Sequence, residues 1–316
     1  RFGSIITHIN IPVVVSIQGC MTVYSHKFLA GFTKCDLFLN SFSRPKSFKN
    51  FVRHNSFYGT LKELRKMSIT ERKYLKETKY VLGRTHWDHR ITSILAPNRI
   101  YFHCDEVMRN AFYQKFWEYH KRDRVIIHTT NGNNLYKGFE TLCEALFELN
   151  RMPGLKIEWQ VAGISENNNI VKITKRKLKN RFPSTGLKLL GSVEEKILSE
   201  NMCNADIYVS PSHIENSPNT LCEAMLLGMP CIATFAGGTG SLLKDGEEGI
   251  LVQDGDPWAL AGAILELLLD PERAINFGKK ARERATIRHN PKRIVSDLMN
   301  SYSQIISMQK TNIINP

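Results

Sequence analysis

Two carboxylates and one lysine are the residues of this sequence whose types and spacing could do chemistry. Glu215 and Glu223 have seven residues between them within Pro211-Ser212-His213-Ile214-Glu215-Asn216-Ser217-Pro218-Asn219-Thr220-Leu221-Cys222-Glu223-Ala224-Met225. A buried-strand run, Asp206–Ser210, ends at Pro211. A loop then leads to Pro218-Asn219, and a helix over 219–227 is expected to stop at Gly228-Met229-Pro230. Glu215 therefore falls in the loop and Glu223 in the first turns of the helix. Between them lies the helix N-terminus, whose free N–H groups and positive dipole end suit a phosphate. One carboxylate on each side of a phosphate cradle can hold the two hydroxyl-rich ends of a nucleotide-sugar. The competing reading is that both glutamates merely cap or solvate the helix.

Lys137 lies in Thr130-Asn131-Gly132-Asn133-Asn134-Leu135-Tyr136-Lys137-Gly138-Phe139, at a strand-to-helix turn where the same phosphate would lie. The order is Lys-Gly rather than Gly-Lys, and Phe139 stands where a P-loop needs a magnesium-binding Ser or Thr, so a kinase or ATPase reading is poor. A surface lysine is the alternative. Phe235-Ala236-Gly237-Gly238-Thr239-Gly240-Ser241 adds backbone N–H groups in a tight turn, a weak signal alone.

The elements that must position these residues follow a regular rhythm from residue 124. Strands are expected over 124–130, 156–162, 187–190, 206–210, 230–234 and 249–252. Helices are expected over 137–150, 168–182, 194–203, 219–227, 257–269 and 271–288. Short apolar strands alternating with helices predict an α/β fold with a parallel sheet covered on both faces, and ligands beyond the strands' carboxyl ends. Before residue 120 the pattern is thinner: strands over 12–17, 79–84 and 99–103, with a mostly helical, aromatic stretch between the first two. Three strands cannot complete a doubly wound domain, and the chain opens Arg1-Phe2-Gly3 without Met or signal peptide. The expected organisation is an incomplete N-terminal domain over 1–119, a donor-binding domain over 120–300 after a linker at 120–123, and a helix end or tail over 301–316.

Length and composition fit two ordinary globular cores: 316 residues, 42% hydrophobic and 23% charged. No window approaches the roughly 18 apolar residues of a membrane span. The net charge of +13 favours anionic partners: nucleic acid, phosphorylated ligands or an anionic membrane face. The basic stretch Lys172–Arg181 lacks interleaved aromatics and reads as a solvated helix face, so no nucleic acid is expected. Seven cysteines never fall in a CxxC or zinc spacing and sit mostly in apolar runs, as in a reducing, cytoplasmic compartment. His86, Asp88 and His89 lack a third-ligand pattern and read as a helix start rather than a metal site.

The order Lys137-Gly138, Gly163, Gly191, Pro211-Ser212, Glu-x7-Glu, Gly237-Gly238 and Gly249-Ile250-Leu251-Val252 resembles family 4 of the retaining glycosyltransferases. The resemblance covers roughly residues 120–305. It extends through Pro12–Gly19 and Tyr80–Tyr113, where Gly83-Arg84-Thr85-His86-Trp87-Asp88 looks like members from bacterial surface-polysaccharide clusters. It implies the GT-B architecture of two facing Rossmann-like domains, the first one truncated here. It also implies sugar transfer from a nucleotide-sugar to a glycan or lipid-linked acceptor, with no cofactor and no metal.

Roles follow from the resemblance. Lys137 would neutralise the donor diphosphate and Glu215 would contact the transferred sugar, the two being the catalytic pair. Glu223 would bind the ribose hydroxyls, and the backbone of Ser217, Pro218, Asn219, Thr220 and Leu221 would hold the sugar and phosphate. Gly132, Asn133, Gly163 and Asn216 complete the donor side, with Ser192 and Val193 facing the base. His213 would line the site, or be satisfied within its loop. Gln18 and Gly19 would face the sugar from the acceptor side. Asn133 stands where the family often has Arg, Gln18-Gly19 where it often has His, and Ser241 where it often has Glu. Each departure removes a charged or titratable group. A nucleotide-sugar 2-epimerase of the same architecture and a non-catalytic nucleotide-sugar-binding relic are the alternatives, and the basic charge allows peripheral contact with the inner face of an anionic membrane.

Overall fold

The computed structural model describes residues 11–37 and 57–314, in two parallel sheets. The smaller sheet is built from β1 (Val14–Ser16), β2 (Tyr80–Gly83) and β3 (Ile100–His103), in the order β1-β2-β3. Helices α1 (Met21–Lys27) and α2 (Phe57–Lys76) lie between β1 and β2 in sequence and pack on each other, and α3 (His86–Leu95) joins β2 to β3. The expected helical stretch between the first strands is present at both ends; its middle, 38–56, lies outside the described residues.

A short helix α4 (Ala111–Gln114) leads to the larger sheet. Its strands are β4 (Val125–Thr130), β5 (Ile157–Ala162), β6 (Leu187–Gly191), β7 (Ile207–Ser210), β8 (Cys231–Thr234) and β9 (Ile250–Val252). They pair in the order β6-β5-β4-β7-β8-β9, all parallel. Helices α5 (Phe139–Leu149), α6 (Asn169–Leu178), α7 (Glu195–Cys203), α8 (Asn219–Leu227), α9 (Pro257–Leu269) and α10 (Pro271–Arg288) connect or follow these strands. β7 and β8 are buried along their whole length, as apolar runs covered on both faces must be.

Chain order explains where a ligand can sit. From β4 the chain winds outward through β5 and β6, then returns to place β7 on the other side of β4. The crevice beyond the carboxyl ends of β4 and β7 is the topological switch point of the sheet. The segments that follow these two strands are those singled out above, 131–138 and 211–223.

Local chemistry fixes the helix limits. Asp256 and Asp270 accept from the first free N–H groups of α9 and α10, each followed by a proline in the first turn. α8 ends at Gly228, whose φ of 83° few other residues adopt. Lys137 differs from its expected place inside a helix. It closes a 3-10 turn, Leu135–Lys137, and Gly138 at φ 72° then redirects the chain into α5. After α10 a single helix α11 (Pro291–Ile314) runs on from Asn290, so that residues 301–314, expected as a helix end or tail, are the end of this helix. It returns to the smaller sheet, where Gln309 Nε2 donates to the Tyr80 hydroxyl at 3.2 Å.

Candidate functional site

The carboxyl ends of the two sheets meet, and the loop after β7 lies at their junction. Lys137 Nζ forms an ion pair with Glu215 Oε1, which also accepts from the Ser212 hydroxyl at 3.2 Å. The loops that carry the pair are tied together by backbone bonds. His213 N–H donates to the Tyr136 carbonyl at 2.8 Å, and Gly238 N–H to the Glu215 carbonyl at 2.8 Å. A Cβ on Gly237 would come within 1.9 Å of the Glu215 carbonyl oxygen, and one on Gly238 within 2.0 Å of that of Asn216. The double glycine therefore serves close approach to the loop backbone. The Lys137 side chain keeps 27% of its surface exposed and Glu215 only 11%, so the amine is the accessible half of the pair.

Glu223 lies at the other side of the α8 N-terminus and is met by Arg109. Arg109 Nε and Nη2 donate to the two Glu223 oxygens, each at 2.7 Å. A second pair, between the segments that follow β2 and β3, lies nearby: Arg84 Nη1 and Glu106 Oε2 are 2.5 Å apart. With its amide oriented by the hydrogen-bond network, Asn219 donates to the same Glu106 oxygen at 3.1 Å. A carboxylate of the smaller sheet's connection thus sits at the N-terminus of α8, where an anion is favoured.

Asn216, expected on the donor side, is the tie between the two sheets. Its Nδ2 donates to Asp88 Oδ2 at 2.9 Å and to the Ile17 carbonyl at 3.3 Å. Its Oδ1 accepts from the Thr85 hydroxyl at 2.6 Å, and its N–H donates to the Tyr24 hydroxyl at 3.1 Å. Thr85 and Asp88 form the capping box of α3, so the His86-Trp87-Asp88-His89 cluster is a helix start. Among the described residues no group of three or more His, Cys, Asp or Glu side chains meets as metal ligands do.

His213 is buried and turned away from Glu215. Its Nε2 lies 2.6 Å from Glu140 Oε1 and its Nδ1 3.5 Å from Asp254 Oδ2. Burial alone would lower the imidazole pKa, but the hydrogen bond and charge of Glu140, with Asp254, outweigh it and raise it. Gln18 is exposed and Gly19 packs against the Tyr24 ring. Burial, with the charges of Glu215 and Tyr136, pushes the Tyr24 hydroxyl far up, so it stays protonated beside the loop.

The other expected positions spread around the same crevice. Gly132 and Asn133 follow β4 with Asn133 exposed, and nothing stands within 4 Å of a Cβ on Gly132. Gly163, at φ 89°, packs on the Asn131 carbonyl, and its N–H donates to Gly191 at 2.6 Å. Ser192 is exposed at the rim, whereas Val193 is half-buried and packs against the core cluster that lies under α8. Ser217, Pro218 and Thr220 lie at the start of α8 beside Asn219. Arg109, Tyr24, Arg84 and Glu106 were not among the expected site residues. Only the Thr85-x-x-Asp88 capping box carried a local signal; Arg109 lies 114 residues from its partner.

Residues 123–270 match the family described as glycosyl transferases, group 1. Among curated proteins, a capsular polysaccharide biosynthesis glycosyltransferase, CapM, of Staphylococcus aureus is 26% identical over 213 residues, 67% of this chain and 54% of that one. An N-acetyl-alpha-D-glucosaminyl L-malate synthase of Bacillus anthracis is 31% identical over 113 residues, 36% of this chain and 30% of that one. The matched part of the chain thus spans about half or less of these relatives' length. Among solved structures, the sucrose-phosphate synthase of Thermosynechococcus elongatus superposes with a TM-score of 0.72 at 19% identity, over 96% of this chain and 70% of that one. HepE of Anabaena, solved in complex with UDP, gives 0.63 at 17% identity, over 74% and 68%. The fold is GT-B, two Rossmann-like domains with parallel sheets.

Proposed function

We propose that this chain binds a nucleotide-sugar in the crevice between its two sheets and transfers the sugar to a glycan or lipid-linked acceptor, with the anomeric configuration retained. One observation carries the reading: the Lys137–Glu215 pair and Glu223 flank the N-terminus of α8 at the switch point of the sheet. The role in capsular polysaccharide biosynthesis for which CapM is named and the UDP held by HepE support the same reading.

In this reading the diphosphate approaches the accessible Lys137 amine and the α8 N-terminus. Charge that develops on the leaving nucleotide is met by groups already in place, the kind of electrostatic stabilisation that is usually the largest catalytic effect. Glu215, partly neutralised by Lys137, accepts hydroxyls of the departing sugar, and Glu223 accepts those of the ribose. No metal is assigned to the diphosphate, so turnover should survive EDTA.

The test uses UDP, GDP and ADP in calorimetry with the native chain, Lys137→Ala and Glu223→Ala, and turnover with Glu215→Ala. A lost charge-assisted contact is worth roughly 1.5–3 kcal/mol, about 10- to 150-fold in affinity. Lys137→Ala and Glu223→Ala should each weaken nucleotide binding by that order. Glu215→Ala should spare free nucleotide and lower kcat, because its contact matters as the sugar departs. Absence of binding by all three nucleotides to the native chain would sink the reading.

A further inference from the structure

The cations around the first turn of α8 are already paired with carboxylates. Lys137 holds Glu215, Arg109 holds Glu223 and Arg84 holds Glu106. Arg288, whose Nη2 also reaches the Arg84 carbonyl, holds Asp105. A diphosphate brought to this helix end therefore meets the N-terminal dipole but little uncompensated positive charge. It gains a full cation only where a pair opens.

The four pairs are not equally firm. Glu223 is gripped through both oxygens, and Asp105 lies between Arg288 Nη2 at 2.6 Å and His103 Nε2 at 3.1 Å. Glu215 takes Lys137 and Ser212 together. These three side chains are 11% exposed or less, whereas that of Glu106 is 29% exposed. Glu106 uses one oxygen for both Arg84 and Asn219, and its other oxygen has no partner among the described residues. It stands on the connection 104–110 between β3 and α4. Its backbone carbonyl is fixed by His289 Nδ1 at 2.7 Å, so the side chain alone can turn out. Arg84 would stay behind. Its backbone N–H donates to Asp88 Oδ2 at 2.8 Å, and its side chain is 8% exposed. The guanidinium nitrogens not bound to Glu106 have no acceptor among the described residues and are not sealed from solvent.

We propose that the Glu106 carboxylate is a tethered stand-in for a donor phosphate, holding the place at Arg84 and Asn219 until the donor arrives and then yielding Arg84 to it. This rests on the reading given under Proposed function, which brings the diphosphate to α8. It adds a second phosphate cation, supplied from the end of β2. The exchange suits an anion with more charge and more acceptor oxygens than one carboxylate, because the guanidinium fork can then be met at two points rather than one.

The test is calorimetry with whichever of UDP, GDP and ADP the native chain binds best, and with inorganic pyrophosphate. A competitor inside the chain lowers affinity, so removing its charge should raise it. Glu106→Gln should bind both ligands about two- to fivefold more tightly, the order of an ion pair open to solvent on one side, while its thermal midpoint falls. Tighter binding in a less stable chain does not come from damage to the fold. Glu106→Asp, which keeps the charge but draws it back from Arg84, should give a smaller gain of the same sign. Arg84→Met should bind about tenfold or more weakly, and adding Glu106→Gln to it should restore nothing, because the gain acts through Arg84. Nucleotide binding by the native chain with unchanged or weaker affinity in Glu106→Gln overturns the proposal and leaves Glu106 a structural tie. A gain that survives Arg84→Met overturns it too. Failure of the native chain and Glu106→Gln alike to bind any nucleotide refutes the nucleotide-sugar reading, and the proposal with it.

Discussion

His213 could line the site or be satisfied within its loop on the sequence alone, and its partners turn out to be two acidic side chains. It points to Glu140 and Asp254, where the second Glu140 oxygen has no partner. The raised pKa has a definite consequence for stability. A group whose folded pKa lies above its unfolded value, about 6.5 for His, contributes fully below that value and loses its contribution as pH rises through the folded one. His128 runs the other way. Full burial lowers its pKa to about 4, so it costs stability as pH falls from about 6.5 towards 4. His213→Gln should therefore lower the thermal midpoint more at pH 6 than at pH 8.5. An equal loss at both values would mean that the ring acts through packing and neutral hydrogen bonds alone.

At the scale of elements, the turn at 131–138 separates two glycines of one motif. Gly138 has φ 72°, and a Cβ there would stand 1.9 Å from the Pro211 carbonyl oxygen. Left-handed backbone costs a residue with a Cβ about 1–2 kcal/mol, and the loop after β7 must also move. Gly138→Ala should lose more than about 2 kcal/mol in denaturant unfolding and weaken nucleotide binding, since Lys137 rides on the same turn. Gly132 faces open space at an ordinary φ. Gly132→Ala should unfold within about 0.5 kcal/mol of the native chain, and equal losses from both changes would refute the distinction. The sequence made α8, α9 and α10 legible to the residue, because proline, aspartate and glycine mark their ends. Lys137 and Glu215 stand out in the sequence because each lies in the loop that follows a strand, and Glu223 because it falls within the helix after that loop. Arg109 was not legible, because only the apposition of two distant segments gives it a partner. Nor was the role of Asn216, whose neighbours Thr85, Asp88 and Tyr24 come from the other sheet. The start of α11 is also marked in the sequence: Asn290 accepts from Arg293 N–H, ahead of Pro291 in the first turn.

Across the whole molecule, the junction combines apolar packing with paired charges: Phe28, Phe32 and Leu61 share one cluster with Leu135 and Phe139 beside the larger sheet. Arg84 with Glu106, Arg109 with Glu223 and Arg288 with Asp105 lie at the junction of the two sheets, around the buried Asn216 tie. Among the described residues no helix is long and apolar enough to cross a membrane, and the net charge is +13. The return of α11 to Tyr80 sets an order in time. The larger sheet is assembled from a continuous run of chain, whereas the smaller sheet receives a contact from 229 residues downstream. Contacts at such separation close late, because loop entropy is lost before they form. In refolding with pulsed hydrogen exchange, amides of β4 and β5 should gain protection before those of β2. During synthesis, β2 must wait until residue 309 has left the ribosome to meet this neighbour, so a strand made before the larger sheet is secured after it.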